Sequence, residues 1–165
     1  MIMSAQVTAD SLKNLKVFSA VPKDELQQVA ELCEEVQIPA GSVLFRQNEE
    51  ASDVYVIVDG EVSLVVCDAI SACRQIGVAR AGELVGWSSV LERRLLTDMA
   101  CANTAVTALK IDGSALLDYC QSHTKFGFEL MRMTALTIAE RLSGTRNQLM
   151  EVHGTHLPEV RLESD

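Results

Sequence analysis

The chain has little proline (3 residues), few aromatic side chains (4%) and no dense run of lysine or arginine. With a net charge of −9 it lacks the basic patch that a polyanion demands, so no nucleic-acid partner is expected. No apolar stretch approaches the roughly 18 residues of a membrane span, and the opening MIMSAQVTADSLKNLK lacks the apolar core of a secretory leader. No CxxC pair occurs. The cysteines Cys33, Cys67, Cys73, Cys101 and Cys120 are scattered and odd in number, which reads as reduced thiols in a cytoplasmic protein. All three histidines, His123, His153 and His156, come late in the chain, so no metal cage on a strand scaffold is expected. No nucleophile stands beside a base. The composition points away from an enzyme.

What is present suits one domain over residues 1–165, long enough to bury roughly 70% of its unfolded surface. Three zones separate by periodicity. From about 10 to 35, Leu12, Leu15, Phe18, Val21, Leu26, Val29, Ala30 and Cys33 recur at helical spacing, with a break at Ser19-Ala20-Val21-Pro22 and a first cap at Asp10-Ser11. From 36 to 111 the runs VQIP, SVLFRQ, DVYVIV, EVSLVV, RQIGVA, MACANT and AVTALKI read as short strands. Turn chemistry separates them, and Asp59-Gly60 is the sharpest hairpin signal. From 114 to 152 the pattern is helical again, followed by a tail over 153–165. In that last helix Met131, Ala135, Ile138, Leu142, Thr145, Leu149 and Val152 recur in steps of four and three, a heptad seam. A helix of about 40 Å, at about 1.5 Å per residue, outreaches the flank of a small barrel, so a second copy of the chain is the expected cover.

The helical opening LKNLKVFSAVPKDELQQVAEL and the strand run IPAGSVLFRQNEEASDVYVIVDGEVSLVV, with Gly41, Phe45, Tyr55, Ile57, Gly60 and Val62 at characteristic spacings, resemble the cyclic nucleotide-binding domain of the catabolite activator and FNR-like (Crp/Fnr) regulators. The resemblance runs from about Leu12 to Leu149. One glycine common after the first long strand is replaced around Gln47-Asn48. The resemblance implies a mainly β fold with flanking helices: a double-stranded β-helix, or jelly roll, of eight strands, with N-terminal helices and a long C-terminal dimerisation helix. It also implies a stand-alone sensor half, since the chain stops about a dozen residues past the seam, before the usual DNA-reading helices.

In that family a Gly-Glu pair receives the ribose hydroxyl, and an arginine nine or ten residues later forks onto the cyclic phosphate. By that resemblance the divergent phosphate loop here comprises Gly82, Glu83, Gly86, Trp87, Ser88, Ser89, Leu96 and Thr97. Trp87 takes the place of the ribose glutamate and Leu96 that of the arginine. An alternative register puts Arg94 at the phosphate and requires an insertion. Hydrogen bonds to charged groups contribute about 1.5–3 kcal/mol each, so losing both anchors weakens a nucleotide by roughly 10²- to 10⁴-fold. Two readings stay open. Trp87 and Leu96 fill the old cavity, leaving an interaction or scaffold module. Or the loop retains a site: Trp87 for a planar ligand, Ser88 and Ser89 with a helix start for an anion. A cyclic nucleotide remains a ligand by resemblance only, without its two anchors. Expected partners are a second copy through Met131, Ala135, Ile138, Leu142, Thr145 and Leu149, and a small molecule. Cys67 and Cys73, flanking DAISA, are either apolar fillers or a redox pair.

Overall fold

The computed structural model describes residues 7–70, 72–91 and 94–158; Arg93, Ser71 of the DAISA loop and the acidic end EVRLESD lie outside them. The chain opens with helix α1 (Ala9–Lys13), a 3-10 turn at Lys16–Phe18 and helix α2 (Lys23–Leu32). Thr8, not Asp10 or Ser11, caps α1. Its hydroxyl accepts from the Ser11 amide at 3.2 Å, and the Ser11 hydroxyl accepts from the Thr8 amide at 3.1 Å, a reciprocal box that leaves Ser11 inside the helix. The helical periodicity read to residue 35 overshoots. Cys33–Ile38 is strand β1, held by the pairing of Cys33 through Ile38 with Ile111 through Val106.

The remaining strands are β2 (Val43–Phe45), β3 (Asp53–Asp59), β4 (Val62–Cys67), β5 (Cys73–Ala79), β6 (Leu84–Val85), β7 (Met99–Ala102) and β8 (Val106–Asp112). They form two four-stranded antiparallel sheets, ordered β1-β8-β3-β6 and β2-β7-β4-β5. The hairpin read at Asp59-Gly60 does not form, because β3 and β4 lie in different sheets. Gly60 instead carries the chain across, at φ +93°. A Cβ there would stand 2.4 Å from the Ala105 carbonyl oxygen, so the turn is pressed against the β7–β8 connection rather than twisted for a two-strand ribbon. The true hairpin is β4–β5. Its directly opposed Cys67 and Cys73 are joined by a disulfide, which corrects the reading of all five cysteines as free; Cys33, Cys101 and Cys120 remain thiols.

Two apolar clusters follow from this layering. One lies between the sheets, around Ile57, Val62, Leu64, Val85 and Ala100. The other lies between the first sheet and the helices, where Leu12, Phe18 and Leu26 meet Leu116, Phe126 and Leu130. Helix α3 (Gly113–Ser122) leaves β8 under an Asp112 cap, and helix α4 (Thr124–His153) follows. Phe126 near the start of α4 stacks on Phe18 at 6.3 Å between centroids, which anchors the helix base. Within α4 the buried residues are Phe126, Gly127, Leu130 and Thr134 only. Beyond Thr134 the half-buried Thr137, Ile138 and Arg141 keep the helix against the roll, whereas Leu142 (47%), Leu149 (45%) and Val152 (68%) are exposed. Among the described residues, no helix is long and apolar enough to cross a membrane.

Candidate functional site

Two glycines in the left-handed region bracket β6, Gly82 at φ +84° in the turn before it and Gly86 at φ +78° where the loop to β7 begins. Between them the Glu83 carboxylate turns back on its own loop and accepts from the Arg80 amide. It is a brace for the turn. A Cβ on Gly86 would sit 2.8 Å from the Asp53 carbonyl oxygen, so this glycine lets the loop lie directly on β3.

Trp87 to Leu91 then form a single turn, in which the Val90 and Leu91 amides both donate to the Trp87 carbonyl. This turn is not the helix start expected for an anion, since one turn aligns too few peptide dipoles. Ser88 is buried, and the Ser89 hydroxyl donates to the Gly86 carbonyl at 3.3 Å.

Leu96 points into the barrel. It is 5% exposed and belongs to the cluster between the sheets. Its amide donates to the Glu49 carbonyl and its carbonyl accepts from the Asn48 amide, both at 2.9 Å. Asn48 itself has φ +67°, a conformation asparagine tolerates, and it lies in the stretch where the resembling sequences carry glycine. Arg94 is exposed, and its carbonyl accepts from the Ala51 amide. The alternative register would turn this side chain inward; it faces away.

Trp87 does not fill the barrel. It packs half-buried against the helical core, and the Arg141 guanidinium from α4 lies 4.3 Å from its ring centroid. Arg141 also donates to the Leu84 carbonyl at 3.0 Å, fastening α4 to the loop's first strand. Beside this stack a cleft of about 260 Å³ remains open. Val66 and Ile76 of the β4–β5 hairpin form one wall, Trp87, Thr97 and Asp98 another. Ile138, Arg141, Leu142 and Thr145 of α4 close it.

Two charges therefore meet at the cleft. Burial pushes the Asp98 carboxyl above its usual range, with Arg141 pulling the other way. Burial lowers Arg141, while Glu83 and Asp98 hold its charge. Neither Asp98 nor Arg141 stands out in the sequence. Arg141 follows Ile138 by three and precedes Thr145 by four, so helical spacing alone places it on the seam's face. Among the described residues, no group of three or more His, Cys, Asp or Glu side chains could hold a metal ion.

A two-sheet roll whose loop faces a long helix across an open cleft defines the class as a jelly-roll domain. The sequence matches the cyclic nucleotide-binding domain over residues 35–123, and the chain belongs to that family. It is 22% identical over 142 residues to the CRP-like cAMP-activated global transcriptional regulator of Mycobacterium tuberculosis, covering 86% of this chain and 62% of that protein. A cyclic nucleotide-binding domain from Methylobacillus flagellatus superposes with a TM-score of 0.73 at 15% identity, over 93% of this chain and 84% of the other. The regulatory subunit of a cAMP-independent protein kinase A from Trypanosoma brucei superposes with a TM-score of 0.69 at 17% identity, over 87% and 49%. The chain thus spans about three fifths of the mycobacterial regulator's length. The fold is the one the resemblance implies: eight strands in two sheets, with helices at both ends.

Proposed function

We propose that this chain is a non-catalytic sensor domain that binds a small molecule other than cyclic AMP and passes the signal through α4 in a homodimer. The observation that carries this reading is Leu96, buried among barrel side chains, which by the sequence resemblance we take to stand where the family carries its phosphate arginine. A cyclic phosphate there meets hydrocarbon instead of a guanidinium fork, and Trp87 offers no carboxylate to a ribose hydroxyl. The cleft is nevertheless open, and Ile138, Leu142 and Thr145 line it while also belonging to the heptad seam. A ligand in the cleft therefore touches the surface on which a second helix would pack. The cAMP-independent trypanosome subunit supports a ligand change within this fold.

A regulatory rather than catalytic role fits the regulator-like relative. The exposed seam residues, including Leu142 and Leu149, fit a helix pair. A second reading, an interaction module without a ligand, draws on the filled barrel at Leu96. A thermal-shift panel of cyclic nucleotides, nucleosides and metabolites decides between them. A ligand at 100 times its Kd adds about 2.7 kcal/mol, a shift of several degrees. Stabilisation by a compound other than cyclic AMP supports the sensor, silence across the panel supports the module, and micromolar cyclic AMP binding overturns both.

A further inference from the structure

We infer that Cys67 and Cys73 form a reversible thiol–disulfide site, whose bond sets how firmly the outer end of the β4–β5 hairpin is held. The inference stands whether or not the cleft takes a ligand. The two cysteines are the outermost opposed pair of that hairpin and are bonded, while Cys33, Cys101 and Cys120 are thiols. A structural staple gains most by closing a long stretch of chain. This bond joins residues only six apart, and the two apolar clusters are built without either cysteine. Its loss therefore leaves the fold standing.

What the bond holds is local. β5 is an edge strand of its sheet. Its ladder with β4 is interrupted: Leu64 opposes Gly77 and Val65 opposes Gln75, so Ile76 is an extra residue, a bulge. Beyond the bulge stand the pairs Val65–Gln75, Val66–Arg74 and Cys67–Cys73. So short an end on an edge strand is where a sheet opens first. Closing its last pair covalently suppresses that opening. The same segment carries Val66 and Ile76, one wall of the cleft that α4 closes. The redox state of one bond thus decides how rigid that wall is.

The site is also arranged to close again. With the bond open, Asp68 still draws the loop together. Its amide donates to the Ala72 carbonyl at 3.1 Å, and its carboxylate accepts from the Ile70 and Ala72 amides, both at 3.0 Å. The Gln47 side chain accepts from the Cys67 amide at 2.8 Å and pins that strand to the β2–β3 connection. The thiols therefore stay opposed. Access is unequal, since Cys73 is exposed and Cys67 half-buried. The Arg74 guanidinium donates to the Cys73 carbonyl at 3.0 Å, which keeps a positive charge at that residue, where it favours a thiolate.

The oxidant is a low-molecular-weight disulfide, RSSR. The Cys73 thiolate attacks one of its sulfurs, the S–S bond of RSSR breaks, and one RSH leaves with the proton that Cys73 gave up. The Cys67 thiolate then attacks the Cys73 sulfur of the mixed disulfide. The second RSH leaves with the Cys67 proton as the Cys67–Cys73 bond forms. Two electrons and two protons pass to RSSR, and excess RSH runs both steps backwards.

The test equilibrates the full, folded chain in buffers from pure glutathione to mostly glutathione disulfide, then alkylates it for peptide mass mapping. Cys67 and Cys73 should change together and reversibly. In Cys67→Ser a glutathione adduct should accumulate on Cys73, because the thiol that would displace it is gone. On reduction of the wild-type chain, hydrogen exchange at the amides of Val66 to Asp68 should quicken by about tenfold or more, with β3 and the far-UV circular dichroism unchanged. A bond that yields to reductant only in denaturant, a chain that unfolds once reduced, or equal exchange in the two redox forms overturns the proposal.

Discussion

At the scale of single residues, the site is set by where small and charged groups are withdrawn from water. Gly86 combines a left-handed backbone with a contact that leaves no room for a methyl group. Gly86→Ala should cost about 1–3 kcal/mol in urea unfolding, since both the conformation and the approach to β3 are lost. Asp98 obeys a different rule. Its folded pKa stands above the unfolded value of about 3.9, so the native state holds the proton more tightly and stability at this carboxyl falls as pH rises through that window. Asp98→Asn removes the buried charge and should keep or raise the unfolding temperature at neutral pH. A clear drop would mean that Arg141 depends on this partner for the fold. Burial also pushes the Cys33 thiol up to about 12 and Cys120 up to about 11. At pH 8 both should resist iodoacetamide in the native state and react only on unfolding, as read by mass spectrometry.

At the scale of elements, local chemistry and long-range pairing divide the work. The Asp112 carboxylate caps α3, accepting from the Ala115 amide at 2.8 Å and the Ser114 hydroxyl at 2.6 Å. These bonds hold its carboxyl below the usual range. Asp112→Ala should cost about 1 kcal/mol. The wild-type advantage should be full above about pH 4 and fade as pH falls through the lowered pKa, which a pH series of urea midpoints would show. The strand runs from DVYVIV to AVTALKI were legible because period and β-branched composition are written locally. The β1 boundary was not, because Cys33 to Glu35 continue a helical spacing that only pairing with β8 overrides. Asp59-Gly60 misleads for a similar reason: its dipeptide specifies a turn, but the sheet that receives the next strand is decided by β7, which pairs with β4. Trp87 and Leu96 were singled out in the sequence by resemblance alone, as residues standing where the family's spacing expects a glutamate and an arginine. Asp98 and Arg141 were not, since they become neighbours of one cleft only after α4 folds back along the loop.

At the scale of the molecule, α4 behaves as two helices in one. Its first turns belong to the core through Phe126 and Leu130, its middle is fastened to the roll by Arg141, and the residues from Leu142 to His153 are exposed. Leu142→Glu should therefore separate dimer from fold, giving half the mass in light scattering with an unchanged far-UV spectrum. A wild-type chain that stays monomeric at all concentrations would remove the dimer. Ile138, Leu142 and Thr145 line the cleft, and in the dimer proposed above they would also meet the second copy. By reciprocity, whatever factor dimerisation adds to the affinity of a cleft compound, that compound returns to the association constant of the two copies. Cellular concentration of the chain itself then becomes an input: scarce protein and abundant protein would answer the same dose differently.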